Sequence, residues 1–344
     1  MWNKLLWQGL PVTKEILCLK NTLMNGQCFN WKLIEGVYLG CVERRVIALK
    51  EEDEFIFYKF LYKNTKAQMN SANDEVSLEE NDFFRKYFQF EVDISEIYAS
   101  AKEKLPKNLH ASLENYRGVR ILRQEYFECI ISFICSSNNN IERIRGMLEN
   151  FRKTYGELIY EDDDYGSFYA FPSLQDFTDE KLKEKDLRDM GFGYRANYLV
   201  DSLKFMLEKG EDWFQKILAS EDPEQELLKL KGVGRKVADC ILLFSFGKHH
   251  IVPLDIHMIK FFNESVAGRG NKYKKIEKMN KKTYEEASAN YFECFGGHAG
   301  WLHSIFYMSR IDKTPTKIKG KRKAKDDSDL EEVENNIKQM KKKK

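Results

Sequence analysis

Between residues 15 and 62 apolar and polar positions alternate through FNWKLI, VYLGCV, RRVIALK and EFIFYKFL, and the apolar positions are mostly β-branched or aromatic. A period of two, broken by the turn pairs NG at 25–26 and EG at 35–36, predicts an antiparallel sheet. The polar run KNTKAQMNSANDEVSLEEN (63–81) has no period and predicts a loop. From about residue 82 the spacing becomes helical and stays so to about 312. FRKYFQF and ISEIYASAKEKL are amphipathic, whereas YFECIISFIC (126–135) is apolar nearly all round and predicts a buried helix. SSNNN (136–140) stops that helix and caps the next, IERIRGMLENFRKTYG. Further helices are predicted over 176–189, 194–209, 211–220, 224–230, 235–246, 256–263 and 299–310. Strands come first and helices follow without alternation, so the fold class is α+β. The expected organisation is an N-terminal antiparallel sheet domain with flanking helices (1–115), a largely helical core (116–312) and a disordered charged tail (313–344). No internal repeat is evident.

Composition narrows this picture. At 42% apolar and 13% aromatic residues, the 344-residue chain can fill a core. It has no run of 18 apolar residues and no secretory signal at its start, so no membrane span is expected. Cysteines 18, 28, 41, 129, 135, 240 and 294 are odd in number, widely spaced and without a CxxC. That pattern favours a reducing compartment and argues against disulfides, a zinc finger or an iron–sulfur cluster. The net charge of +2 hides an asymmetry. Residues 313–344 hold 12 of the 56 Lys/Arg and 6 of the 54 Asp/Glu, leaving 44 basic and 48 acidic residues in the body. A slightly acidic body does not advertise nucleic-acid binding; if the chain binds DNA, it does so through a local face, through neutral backbone amides, or with help from the tail.

LKGVGRKVADCILLF (230–244) has the form of a helix, a tight Gly-x-Gly turn and a second helix. Gly232 and Gly234 are expected to take positive φ and to present bare amides at the second helix's start, a neutral grip for a DNA phosphate. An ordinary αα turn is the bland alternative. Lys236 then stands at a helix start, as a solvated charge, a phosphate contact or a nucleophile. In VPLDIHM (252–258), Pro253 and Asp255 precede a helical run, which makes Asp255 an N-cap. Two helix starts 19 residues apart can face one cavity, with a lysine on one and a carboxylate on the other. Desolvation and the positive helix end both disfavour the ammonium, so Lys236 is expected as the neutral amine that attacks a sugar carbon. Asp255 then takes a proton or stabilises positive charge on the sugar.

These residues resemble the helix-hairpin-helix/Gly-Pro-Asp DNA glycosylases, and within them the eukaryotic 8-oxoguanine DNA glycosylase/AP lyases. The likeness runs through NGQCFNW (25–31), GVRILRQ, SFICSSNNNIERIRGM, FPSL, MGFGYRANY, GVGRKVADC, VPLDIHM and GGHAGW (296–301), and leaves out 63–81 and the tail. It implies a base-excision repair enzyme that flips a damaged base out of double-stranded DNA. Lys236 would displace the base as a Schiff base and β-elimination would nick the strand, with Asp255 assisting. It also implies a pocket role for Gly26, whose carbonyl faces the N7 hydrogen that 8-oxoguanine has and guanine lacks; Gly26 would equally serve the NG hairpin turn. Cys240 would lie on one face of the base and Pro253 beside it. Asn138, Arg143 and Arg195 would hold the orphaned cytosine, Tyr194 would wedge beside it, and His257 would contact a phosphate. Gly232, Gly234 and Val237 would hold the DNA backbone.

Two pocket positions depart from the family. Where it has a glutamine on the base's Watson–Crick edge and a phenylalanine stacked on the base, this chain has His303 and Tyr307. At the position where the family has an aspartate that orients the histidine, this chain has Arg310. Tyrosine stacks as phenylalanine does, and histidine can offer a donor or an acceptor to the base, but not the amide's matched pair in one tautomer. The reading implies a looser purine choice, extending to formamidopyrimidine-guanine. The resemblance implies no metal and no cofactor, a monovalent cation at the hairpin turn being compatible, and a monomer acting in the nucleus or the mitochondrion. KGKRKAK suits nuclear import. An alkylbase glycosylase lacks the lysine and most pyrimidine glycosylases carry four clustered cysteines, so neither fits. The alternative from another class is a non-catalytic damaged-DNA-binding module that uses the hairpin as a handle.

Overall fold

Two-residue turns set the sheet's register. The computed structural model describes residues 7–52, 54–63, 73–178, 181–267 and 273–311, and for 73–78 only the backbone. Strand β1 (Gln8–Leu10) is followed by a short helix, α1 (Leu19–Leu23), and then by β2 (Trp31–Ile34), β3 (Val37–Val42), β4 (Arg45–Glu51) and β5 (Ile56–Lys63). Glu35 and Gly36 both have positive φ between β2 and β3, as do Glu43 and Arg44 between β3 and β4. That geometry matches the twist of paired strands. The antiparallel order is β1-β5-β4-β3-β2. The consecutive run of strands therefore starts at Trp31 rather than near residue 15, and β1 (Gln8–Leu10) joins the same sheet at the far edge of β5. The NG pair at 25–26 makes no hairpin and lies in the loop between α1 and β2.

The predicted loop over 63–81 also needs correction, because α2 spans Asn73–Tyr87. Among its described side chains, the buried apolar ones are Phe83, Phe84 and Tyr87 in the C-terminal half, and the sequence before them is mostly polar, without a period of its own. Phe83, Phe84, Tyr87 and Phe88 cover one face of the sheet. The other face is covered by an unforeseen hairpin, β6 (Leu158–Asp162) and β7 (Gly166–Tyr169), through Ile159 and Phe168. With both faces buried, every residue of β3 is buried.

The helical part comprises α3 (Ile94–Lys104), α4 (Lys107–Asn115), α5 (Tyr126–Ser136), α6 (Ile141–Tyr155), α7 (Glu184–Asp189), α8 (Arg195–Lys209), α9 (Asp212–Ala219), α10 (Pro223–Leu227), α11 (Arg235–Phe244), α12 (Ile256–Ser265), α13 (Lys281–Phe295) and α14 (Ala299–Ile311). The apolar α5 runs through the centre of the core, as its composition demands. Of these, α4 and α13 were not anticipated. The buried positions of α13 are Tyr284, Ala287, Tyr291 and Phe295, correctly spaced for a helix but set among polar residues. Met1–Asp312 is one compact unit, and the tail over Lys313–Lys344 lies outside the described residues.

Arg120 ties the sheet side to the helices. It is 1% exposed, and its guanidinium donates to the carbonyls of Phe88 (2.6 Å), Gln89 (2.5 Å), Val92 (2.7 Å) and Ile16 (3.3 Å). Arg120→Ala would strand several buried acceptors, each costing roughly 1–3 kcal/mol. The variant is expected to lose about 3 kcal/mol or more in urea unfolding, with little change in the slope of the transition.

Candidate active site

The hairpin turn delivers Lys236 to a cavity. Gly232 sits at φ +79°, and a Cβ there would lie 2.5 Å from the Tyr198 ring. Only glycine meets both demands. Gly234 departs from expectation. It is extended (φ −96°, ψ 177°) and forms the N-cap of α11, and an added Cβ would meet nothing within 4 Å. The fold leaves this side of the turn open, as close approach of a phosphate to the first amides of α11 requires. Lys236 is the second residue of α11, and Cys240 follows one turn later on the same face.

The second helix start is built as the sequence suggests. Asp255 is the N-cap of α12, its Oδ1 accepting the His257 and Met258 N–H groups, both at 2.9 Å. Lys236, Cys240, Pro253, Asp255, His303 and Tyr307 line one cavity together with Asn25, Gly26 and Gln27. Phe133, Phe244 and Ser304 complete its wall and were not singled out from the sequence. Gly26 has φ +85°, and Asn25 Oδ1 accepts the Gln27 N–H across it at 3.0 Å. Gln27 clamps this loop from inside. Its amide donates to the Thr22 and Arg120 carbonyls, both at 2.8 Å, and accepts from the Leu122 N–H at 2.9 Å. The Gly26 backbone is thereby fixed at the cavity wall.

The cavity holds about 40 Å³, room for about one water and far below the ~300 Å³ at which ordinary ligand pockets begin. A purine enters only when side chains move aside. His303 and Tyr307 are the flanking pair, stacked at 5.8 Å and 17°. His257 meets the Tyr307 ring edge-on at 6.4 Å. Arg310, at the position in question, pairs instead with Glu264 on α12.

The charges in the cavity correct one expectation. Burial works to lower the pKa of the Lys236 ammonium, but Cys240, Asp255 and Tyr307 outweigh it and the pKa is raised. Burial also pushes the Cys240 thiol up to about 11 and the Tyr307 phenol up to about 12. Lys236 rests protonated and must shed a proton before it can attack. His303, 5% exposed, is held neutral, burial lowering its pKa to about 4, and its Nδ1 has no hydrogen-bond partner among the described residues.

Because the folded pKa of His303 lies below the ordinary value of 6.5, the folded state binds fewer protons than the unfolded chain between those values. Its contribution to stability is complete above pH 6.5 and is lost as pH falls towards 4. His303→Gln is expected to lose on the order of 2 kcal/mol less than the parent over that interval, measured by urea unfolding at fixed pH steps. Asp239 acts with the opposite sign. Burial raises its pKa to about 7, so its contribution is present at low pH and is lost as pH rises from about 4 through 7.

The residues assigned to the partner base lie apart from the cavity, around the α5–α6 turn. Asn138 is exposed with φ +48°. Arg143 is exposed on α6, its guanidinium donating to the Gly191 carbonyl at 3.3 Å. Tyr194 is 46% exposed and packs over the Arg195 guanidinium at 4.5 Å. Arg195 itself is 1% exposed and donates to the Ser137 and Asn138 carbonyls. In this structure it braces the turn that presents Asn138. Val237 is buried, and His257 is exposed beside the cavity mouth.

Residues 9–130 match the model of the 8-oxoguanine DNA glycosylase N-terminal domain, and residues 131–286 match that of the HhH-GPD superfamily of base excision DNA repair proteins. The two run on without a gap and take in the sheet, the hairpin and both helix starts. The chain belongs to the 8-oxoguanine DNA glycosylase family. Among relatives of this glycosylase family, the N-glycosylase/DNA lyase of Saccharomyces cerevisiae is 29% identical over 89% of this chain and 86% of its own. The N-glycosylase/DNA lyase OGG1 of Arabidopsis thaliana is 29% identical over 90% and 82%. The Clostridium acetobutylicum 8-oxoguanine glycosylase/lyase, solved with double-stranded DNA containing cytosine opposite 8-oxoguanine, superposes with a TM-score of 0.70. It is 27% identical over 89% of this chain and 97% of that one.

Proposed function

We propose that this protein is a bifunctional DNA glycosylase/AP lyase that excises 8-oxoguanine opposite cytosine and then nicks the strand. The observation that carries the reading is the single cavity in which Lys236, Asp255 and the clamped Gly26 loop converge. Entry of the flipped base displaces the His303–Tyr307 stack from the closed cavity. The Gly26 carbonyl then accepts the N7 hydrogen that undamaged guanine lacks. The Cys240 thiol, neutral at working pH, lies on one face of the base, and Tyr307 stacks on the other.

Lys236 gives up its proton, and its Nζ lone pair forms a bond to the sugar C1′. The bond from C1′ to the base breaks, its electron pair leaving with the base, which is protonated as it departs. Asp255, anionic and fixed by its capping bonds, stabilises the positive charge that develops on the sugar. Opening of the sugar ring gives a Schiff base. Loss of a proton from C2′ expels the 3′ phosphate and nicks the strand. No step calls on a metal or a redox cofactor. We assign the orphaned cytosine to Asn138, Arg143 and Arg195, the last after release of the 137–138 turn, with Tyr194 as the wedge. The protein is taken to act as a monomer, and the basic tail to direct it to the nucleus.

Incubation with an end-labelled duplex carrying 8-oxoguanine opposite cytosine tests this. Free 8-oxoguanine and a cut 3′ to the lesion are expected. A duplex that is bound but left intact would point to the non-catalytic module. Because the donor and acceptor nitrogens of a neutral His303 point in divergent directions and cannot present the amide's matched pair on one edge, excision is expected to extend to formamidopyrimidine-guanine, and His303→Gln is expected to narrow the range. A parent enzyme as strict as the glutamine variant would contradict this assignment of His303.

A further inference from the structure

One hydroxyl joins the two elements that carry the catalytic pair. Tyr284, on α13, is buried, and its phenol donates to Asp239 Oδ2 at 2.5 Å. The same oxygen accepts the Leu254 N–H at 3.1 Å. Asp239 is 3% exposed. It lies on α11 three residues after Lys236 and next to Cys240, while Leu254 stands between Pro253 and Asp255. Helix α11 packs on α5 and α10, whereas α12 packs on α14, so the two elements rest on different neighbours. The phenol bridges them directly. Its ring is held from outside by Arg235, whose guanidinium lies 5.4 Å from the ring centroid and pairs with Glu224 at 2.9 Å. A rigid ring with its hydroxyl engaged as both donor and acceptor fixes one separation between its two partners.

We propose that Tyr284 and Asp239 form a buried strut that sets the separation of Lys236 and Asp255, which makes both of them positioning residues for the reaction. The inference rests on the reading of Lys236 and Asp255 as the reacting pair. A displacement of about 1 Å between reacting groups costs on the order of 10²-fold in rate. The strut touches neither DNA nor base, so its loss should appear in the chemical step and not in affinity.

The test compares single-turnover excision of 8-oxoguanine opposite cytosine with binding to a duplex carrying a tetrahydrofuran abasic analogue. Tyr284→Phe is expected to lower the excision rate by about 10- to 100-fold and to keep the dissociation constant within about twofold. Tyr98→Phe is the control, because Tyr98 is equally buried and its hydroxyl donates to the Tyr116 carbonyl at 2.9 Å, away from the cavity. It loses a buried hydrogen bond with no change in rate. Asp239→Asn keeps an acceptor for the phenol and should retain more of the rate than Asp239→Leu. An excision rate for Tyr284→Phe within twofold of the parent overturns the strut, as does an equal fall for Tyr98→Phe. Should Tyr284→Phe fail to fold, equal rates for the two Asp239 variants overturn it. A parent enzyme that releases no base removes the glycosylase reading and the strut with it, a result distinct from all the others.

Discussion

Asp255→Asn is expected to lower the single-turnover excision rate by about 10²- to 10³-fold while the protein stays folded. The substitution separates two roles that share one side chain. Capping uses Oδ1, which accepts the His257 and Met258 N–H groups, and asparagine offers the same oxygen and ranks equally as an N-cap. Stability should therefore change by less than about 1 kcal/mol. The negative charge disappears, and with it the anion that faces Lys236 and the stabilisation of a cationic sugar. Rapid-quench excision assays together with urea unfolding check both halves. A fully active asparagine variant would reduce Asp255 to a helix cap.

Lys236→Gln is expected to abolish base release, a loss of about 10⁴-fold or more, because the nucleophile itself is removed. Its stability should fall modestly as well. The raised pKa marks an ammonium that the fold favours despite its burial, and its removal leaves the Asp255 carboxylate without its counter-charge. The variant is expected to melt somewhat below the parent temperature, to remain folded at assay temperature and to bind the abasic-analogue duplex with undiminished affinity. Loss of activity with retained folding and binding marks a residue that carries the chemistry.

Much of this was readable in the chain, for local reasons. Lys236 and Asp255 each lie at a helix start, where glycine, proline and capping chemistry write the backbone geometry into a few adjacent residues. The sheet and α5 follow from apolar spacing alone. What escaped is what depends on distant partners. Gln27 and Arg120 read as ordinary polar residues, yet Gln27 reaches across 93 positions to the Arg120 carbonyl. Tyr284 lies in a helix whose buried face is phenolic and small rather than aliphatic, so neither α13 nor the strut stands out from the spacing. The opening half of α2 is polar, and nothing local separates it from a loop. The direction of the Lys236 shift was misjudged for the same reason. Burial and the helix end are legible one residue at a time, whereas the opposing influence of Cys240, Asp255 and Tyr307 depends on how closely the fold gathers them around Lys236. Arg195 looked available to DNA, and only the fold shows its donors turned onto the 137–138 turn.

Borohydride reduction during turnover tests the central claim that Lys236 carries the reaction as a Schiff base. With the parent protein and a duplex carrying 8-oxoguanine opposite cytosine, a covalent protein–DNA adduct is expected, with mass spectrometry locating the sugar remnant on Lys236. Absence of an adduct during active base release, an undiminished adduct with Lys236→Gln, or a remnant on another residue would contradict the account.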